Sequence, residues 1–333
     1  MSVNIEKTFS LPPRIPVCIS RPPRYISKAG NSGSQKGFEM AVRILKGGMR
    51  AAMRVIPYDE VVKAVRLSCL EAACVLPADV RAAIRKAFET ESSVRARDFL
   101  KQYLTNAEIA GAEKMPICQD TGFAVFFVEM GEMLKIDGGS VYSAITEGVA
   151  QGYRDGFLRK SIVSDPIFKR RNTSDNTPPI IHLEMVPGDR LNVILAPKGG
   201  GSENMSALKM LTPAAGREGV RDFVVDTVVA AGGCPCPPTI VGVGVGGTFE
   251  KAAFLAKKAL LRPVGSHNPD PEYAELETEI LERINASGVG SQGLGGDITS
   301  FACHIEHFPC HIASLPVAVN INCHAARHAG FEL

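Results

Sequence analysis

The sequence predicts an α+β fold: a helical N-terminal layer followed by mixed β-sheets flanked by helices. Three observations carry this. Apolar residues recur at helical spacing from Tyr58 to about Thr105. Beyond that point, strand-length apolar runs mix with helical stretches, separated by Gly- and Pro-rich turns. The chain has 333 residues, 45% hydrophobic and 22% charged, enough to bury a large core with the composition of an ordinary globular protein.

The elements follow in order. Val61, Val62, Val65, Leu67, Leu70, Ala73 and Cys74 share a helical face. Pro77 opens the next element, and Asp79 is placed to cap a helix through Ile84 and Phe88. A third helix covers about residues 92–105. A polar turn at 115–122 leads into the apolar run 123–130, which reads as a buried strand. Residues 142–158 read as a helix. Runs 180–185 and 191–196 read as strands, and Pro187-Gly188-Asp189 between them is a hairpin signal. After a glycine loop at 198–204 come a helix (220–231), a strand (240–245) and a helix (249–261). An acidic amphipathic helix (272–286), a Gly-rich loop (288–296) and two strand-like runs complete the chain.

Charge is uneven along the sequence. Residues 1–54 hold ten Lys and Arg against Glu6 and Glu39, a net of +8, while the remainder carries a net of −6. With Pro12-Pro13, Pro22-Pro23 and a Gly/Ser stretch, residues 1–52 read as a basic, disordered extension. An early start upstream of Met49 or Met53, or a targeting segment, are the alternatives, and the prolines count against the second. No run approaches 18 apolar residues, so no membrane span is expected. An overall charge of +2 gives no reason to expect a nucleic-acid partner. Nine cysteines, an odd number without an apolar signal peptide, suit a reducing compartment such as the cytoplasm.

Three of those cysteines share a setting. Cys118, Cys236 and Cys323 each sit on a loop at one end of a strand, where backbone N–H groups are free to face an anion or a sulfide. They lie about a hundred residues apart, so spacing alone leaves a shared metal site and scattered core thiols both open. Cys69 and Cys74 read as packed thiols on a buried helix face. Gly242, Gly244, Gly246 and Gly247 lack dinucleotide-loop spacing and read as a strand closely approached by backbone or cofactor. His304, His307, His311, His324 and His328 show no regular ligand spacing and read mostly as polar or packed residues.

Five motifs in order are more specific: Pro116-Ile117-Cys118-Gln119-Asp120-Thr121-Gly122; Lys198-Gly199-Gly200-Gly201-Ser202-Glu203-Asn204; Cys236-Pro237-Pro238 before Val241-Gly242-Val243-Gly244; Gly293-Leu294-Gly295-Gly296-Asp297; and Leu315-Pro316-Val317-Ala318-Val319-Asn320 leading to Cys323. Over about residues 53–329 this set resembles the alpha subunit of class I fumarate hydratases and the closely similar L-tartrate dehydratases. The resemblance implies a 4Fe-4S cluster on Cys118, Cys236 and Cys323, with a fourth iron that no protein group ligates and that acts as a Lewis acid. It implies substrate contacts from Gln119, Arg159 and the backbone of Gly199, Gly200 and Gly201, and active-site roles for Asp120 and His311. The family's general base and further cationic residues lie on a beta subunit. Because the sequence ends at Leu333, soon after the third cysteine, the chain is expected to be one component of a two-chain enzyme, a heterotetramer, acting on a small dicarboxylate. Fumarate/malate is the expected substrate; L-tartrate or a related hydroxy-acid is the alternative. An iron–sulfur redox or sensor protein is the alternative of another class, and a metal-free binding module is a third.

Overall fold

The computed structural model describes residues 53–333; the extension expected at 1–52 lies outside the described residues. The fold is α+β, as predicted. The helical layer begins with α1 (Tyr58–Cys74), which buries Val61, Val62, Val65, Cys69, Ala72 and Ala73. Next comes α2 (Ala78–Thr90), entered from Pro77, but Asp79 does not cap it. Its carboxylate instead accepts the Val264 N–H at 2.8 Å, tying the helix to a distant loop. Ser93 caps α3 (Val94–Glu113), accepting from Ala96 N. This helix runs past the expected end near 105 because Ala107 and Ala110 continue its buried face. Among the described residues no helix is long and apolar enough to cross a membrane.

The first four-stranded sheet is built on β2 (Phe123–Gly131), preceded by a short β1 (Arg54–Pro57) that pairs in parallel with β3 (Leu134–Asp137). A capping box at Ser140 and Ser143 starts α4 (Val141–Asp155). The next strands, β4 (Ile180–Val186) and β5 (Leu191–Lys198), do not form the hairpin that Pro187-Gly188-Asp189 suggests. Each pairs with β2, β4 in parallel and β5 antiparallel. Buried β2 needs partners on both edges for its backbone groups, and it takes one from each side of the turn. The order is β10-β5-β2-β4, where β10 (Ala329–Glu332) closes the far edge. One face packs on α1 and α4 around Phe126, Val128, Ile145 and Tyr153.

After a single helical turn, α5 (Gly200–Glu203), come β6 (Ala207–Leu211), α6 (Gly216–Ala231), β7 (Thr239–Gly246), α7 (Phe249–Ala259), α8 (Pro271–Ala286), β8 (Ser300–Phe308) and β9 (Leu315–Asn322). The second sheet has the order β6-β9-β7-β8. Every residue of β7 is buried, because α6 and α8 cover one face and α7 the other. A methyl group at Gly242 or Gly244 would overlap the backbone carbonyls of Ala256 and Ala252 on α7. The glycines of that motif therefore admit a helix, not a cofactor.

Pairing decides where the loops go. Phe123 at the start of β2 stands opposite Lys198 at the end of β5. Ile240 near the start of β7 stands opposite Asn322 at the end of β9. The loops before β2 and after β5 are thus neighbours, as are those before β7 and after β9.

Candidate functional site

Those four loops carry the three cysteines. The Cys118 turn hangs from the helical layer: Ile117 N–H donates to Ala73 O at 2.9 Å, and Asn106 Nδ2 donates to Ile117 O at 2.8 Å. Behind it, Tyr153 Oη donates to the carbonyls of Thr121 and Gly122, and Asn176 Nδ2 also donates to Gly122 O. These are buried polar groups with partners, so the turn is stiff. Cys236 is held at φ 55°, a left-handed conformation uncommon for a residue with a side chain. The neighbouring turn holds it there, since His324 donates its backbone N–H to Cys236 O and its ring Nδ1 lies 3.0 Å from the same oxygen. The His324 ring stacks on Tyr103 at 3.7 Å, and Gln292 Nε2 donates to Tyr103 Oη. Arg327 Nη2 donates to Asp120 O at 2.6 Å, joining the Cys323 turn to the Cys118 turn.

The thiols feel one another. Burial pushes the Cys236 thiol up, and Cys323, Cys118 and Cys234 push it the same way. Burial also raises Cys323, while Arg327 and Lys198 draw it down and Cys118 raises it. By contrast Cys69, at the core, is pushed up to about 12 by burial alone. Among the described residues no three His, Cys, Asp or Glu side chains converge as a single ion requires. Cys118, Cys236 and Cys323 stand on three separate turns that the His324 and Arg327 contacts join, and thiols on separate turns are the donor type a polynuclear cluster takes.

Next to the thiols lies a charged lattice that the sequence did not reveal beyond its motif. Lys198 is buried, with Nζ 2.8 Å from Ser202 Oγ and 3.4 Å from Glu203. Burial draws its pKa down to about 8, against the pull of Glu203. Burial would raise Glu203, but Lys257 and Lys198 hold it below the usual carboxylate range. Lys257 Nζ sits 2.7 and 2.8 Å from its two oxygens, and Asn320 Nδ2 on β9 donates to it at 2.8 Å. The glycine turn is pinned on its other side by Asp120, which accepts from Gly200 N at 2.8 Å and Gly122 N at 3.0 Å.

The expected site residues divide into two groups. Gln119 is exposed, its Oε1 3.6 Å from Cys118 Sγ. Asp120, Gly199, Gly200 and Gly201 border the thiol turns, although Asp120 and the Gly200 N–H already engage each other. Arg159 is exposed and forms no ion pair among the described residues; its carbonyl accepts from Thr121 Oγ1 at 3.0 Å. His311 stands apart. It precedes β9, whose eight residues at about 3.3 Å each hold it roughly 25 Å from Cys323 in the same chain. It lines a separate cavity of about 660 Å³ with Arg217, Glu272, Tyr273 and Cys310. Sequence reasoning missed Lys198, Glu203, Tyr103, Gln292 and Arg327. The glycine motif contained the first two, but nothing around Arg327 set it apart from a surface arginine.

Residues 62–332 match the family described as Fumarate hydratase (Fumerase). The provisionally named L(+)-tartrate dehydratase subunit alpha of Methanocaldococcus jannaschii is 45% identical over 270 residues, 78% of this chain and 92% of that protein. The L(+)-tartrate dehydratase subunit alpha of Escherichia coli strain K12 is 34% identical over 256 residues, 76% of this chain and 84% of that one.

Proposed function

The chain belongs to the fumarate hydratase (Fumerase) family and is a hydro-lyase, and from that premise we propose that it is the cluster-holding subunit of a dehydratase for a small hydroxy-dicarboxylate. The observation that carries this is the joining of three cysteine turns, through His324 to Cys236 O and Arg327 to Asp120 O. Cys118, Cys236 and Cys323 would hold a 4Fe-4S cluster, which supplies when bound a Lewis-acidic iron for a hydroxyl group.

The remaining chemistry belongs to this chain's own residues. Arg159, exposed and without an ion pair among the described residues, can meet a carboxylate in bidentate fashion. Thr121 fixes its backbone next to the Cys118 turn. Gly199, Gly200 and Gly201 bring main chain close to the thiols without side chains in the way. Asp120 is committed to the Gly122 and Gly200 amides, so it shapes this turn and is poorly placed to move a proton at carbon. Arg159 can hold one carboxylate of a dicarboxylate, and the proton-transferring base and a second cationic anchor are assigned in this reading to a partner, the expected beta subunit.

Fumarate and malate are the proposed substrate pair. L-tartrate is the second reading, favoured by the names of both relatives. A redox protein is the reading of another class: Cys234 shares the turn of Cys236, so a fourth thiol is at hand, and the family match favours the hydro-lyase. The test is turnover of the cluster-loaded chain, alone and with its partner, on fumarate, L-malate and L-tartrate. Addition of the partner should raise the rate by about a hundredfold or more, the usual worth of a placed acid or base. Full activity from the single chain would refute the division of labour.

A further inference from the structure

Arg327 is 6% exposed and always charged. Nη2 donates to Asp120 O at 2.6 Å, Nη1 donates to Ala325 O at 3.2 Å, and Nε has no partner. Among the described residues it forms no ion pair. The nearest carboxylate along the turn it grips, that of Asp120, is taken by two amides. On its other side is a cavity of about 10 Å³, room for one water. Arg262 and Asp79 border that cavity too; Arg262 is paired with Glu277, and Asp79 accepts the Val264 N–H without an ion pair to Arg327. The groups that sense the Arg327 charge are Cys323, Cys74, Tyr153 and His324. Lys198, the other buried cation near the thiols, has Glu203. A buried guanidinium bonded only to carbonyls, with no direct ion pair, is among the costlier arrangements a fold can keep.

We propose that Arg327 is the counter-charge of the thiolate set: it clamps the Cys118 and Cys323 turns together and neutralises the negative charge that three thiolates bring to a bound iron–sulfur group. This rests on the reading that Cys118, Cys236 and Cys323 hold that group. Arg327 is a positioning residue and does not touch substrate in this scheme. The charge and the clamp have separable consequences. Without a cluster the guanidinium has no ion pair, so its loss costs only the two carbonyl bonds of the clamp. With a cluster its loss leaves a buried anion unpaired, and reduction, which adds negative charge, becomes harder.

The experiment compares wild type, Arg327→Met and Arg327→Lys, each cluster-free and after anaerobic reconstitution with iron and sulfide. Thermal unfolding, iron loss to a chelator and the cluster's midpoint potential are measured. Arg327→Met should lose less stability when cluster-free than when loaded. Once loaded, it should lose iron about tenfold faster or more, with its potential shifted negative, given the loss of a close opposite charge. Arg327→Lys should keep the wild-type potential. Equal destabilisation of both forms with unchanged iron loss and potential would reduce Arg327 to a carbonyl clamp and overturn the proposal. Failure of Arg327→Met to fold cluster-free would overturn it as well. A wild-type chain that binds no cluster would instead refute the three-thiol reading.

Discussion

The two ends of β9 (Leu315–Asn322) look alike in sequence and differ in structure. One end leads to Cys323 and His324, the other follows Cys310 and His311, so each offers a thiol and an imidazole. At the Cys323 end the side chains are buried or half-buried, and neighbouring turns are bonded through His324, Arg327 and the Glu203–Asn320 contact. At the other end Cys310, His311 and Ile312 are exposed, and the bonds of Cys310 and His311 stay within their own turn. Residue type alone does not distinguish the two ends; backbone pairing that brings distant loops together, and the charged contacts between them, does.

The largest expected effect breaks the comparison if it fails. Cys323→Ser should abolish iron and sulfide uptake, while Cys310→Ser should leave both at the wild-type level on reconstitution. Equal loss in the two variants would erase the distinction between the ends.

Next is the lattice beside the thiols. Glu203→Gln removes the partner of buried Lys198 and of Lys257. Stability should fall by about 2 kcal/mol, the scale of a buried group left without its partner. Denaturant titration checks this, and an unchanged midpoint would show that the lattice holds nothing in place.

A third position on the same sheet sharpens the contrast through pH. His304 on β8 is buried, and neither ring nitrogen makes a hydrogen bond of good geometry, the nearest backbone group being that of Ala259. Burial, then Arg262, draws its pKa down to about 4. The folded value lies below the unfolded one of about 6.5, so the unfolded chain takes up the proton first. His304 therefore contributes stability that is fully present above about pH 6.5 and lost as pH falls through about 4, at about 1.4 kcal/mol per pH unit between them. His304→Leu should show a flatter fall than wild type in denaturation at pH 7 and pH 5. Parallel curves would mean that the ring finds a proton acceptor.

The smallest effect belongs to His311. Its replacement by Ala should leave iron content, iron retention and stability of this chain unchanged, because its turn is separated from the thiols by the length of β9. Iron loss on that substitution would show a coupling along the strand that its geometry does not suggest.

Much of the fold was legible. Long amphipathic helices declare themselves by periodicity, and the apolar run of β2 by its composition and flanking turns. The short strands β1, β3, β6 and β10, four or five residues each, carry too little pattern to stand out. The β4–β5 turn misled because a Pro-Gly-Asp sequence reports a chain reversal, not which strands pair across it. In the candidate site, the cysteine motifs and the glycine loop could be read from resemblance. Arg327 could not, since its burial and lack of a counter-ion exist only once β9 and β10 lie in different sheets.

The central claim is that three turns, and no others, hold the iron. Iron and sulfide per chain, measured after anaerobic reconstitution of wild type, Cys236→Ser and Cys234→Ser, test it most directly. The account predicts about four of each in wild type and in Cys234→Ser, as a 4Fe-4S cluster requires, and background levels in Cys236→Ser. Background iron in wild type, or retention in Cys236→Ser with loss in Cys234→Ser, would contradict it.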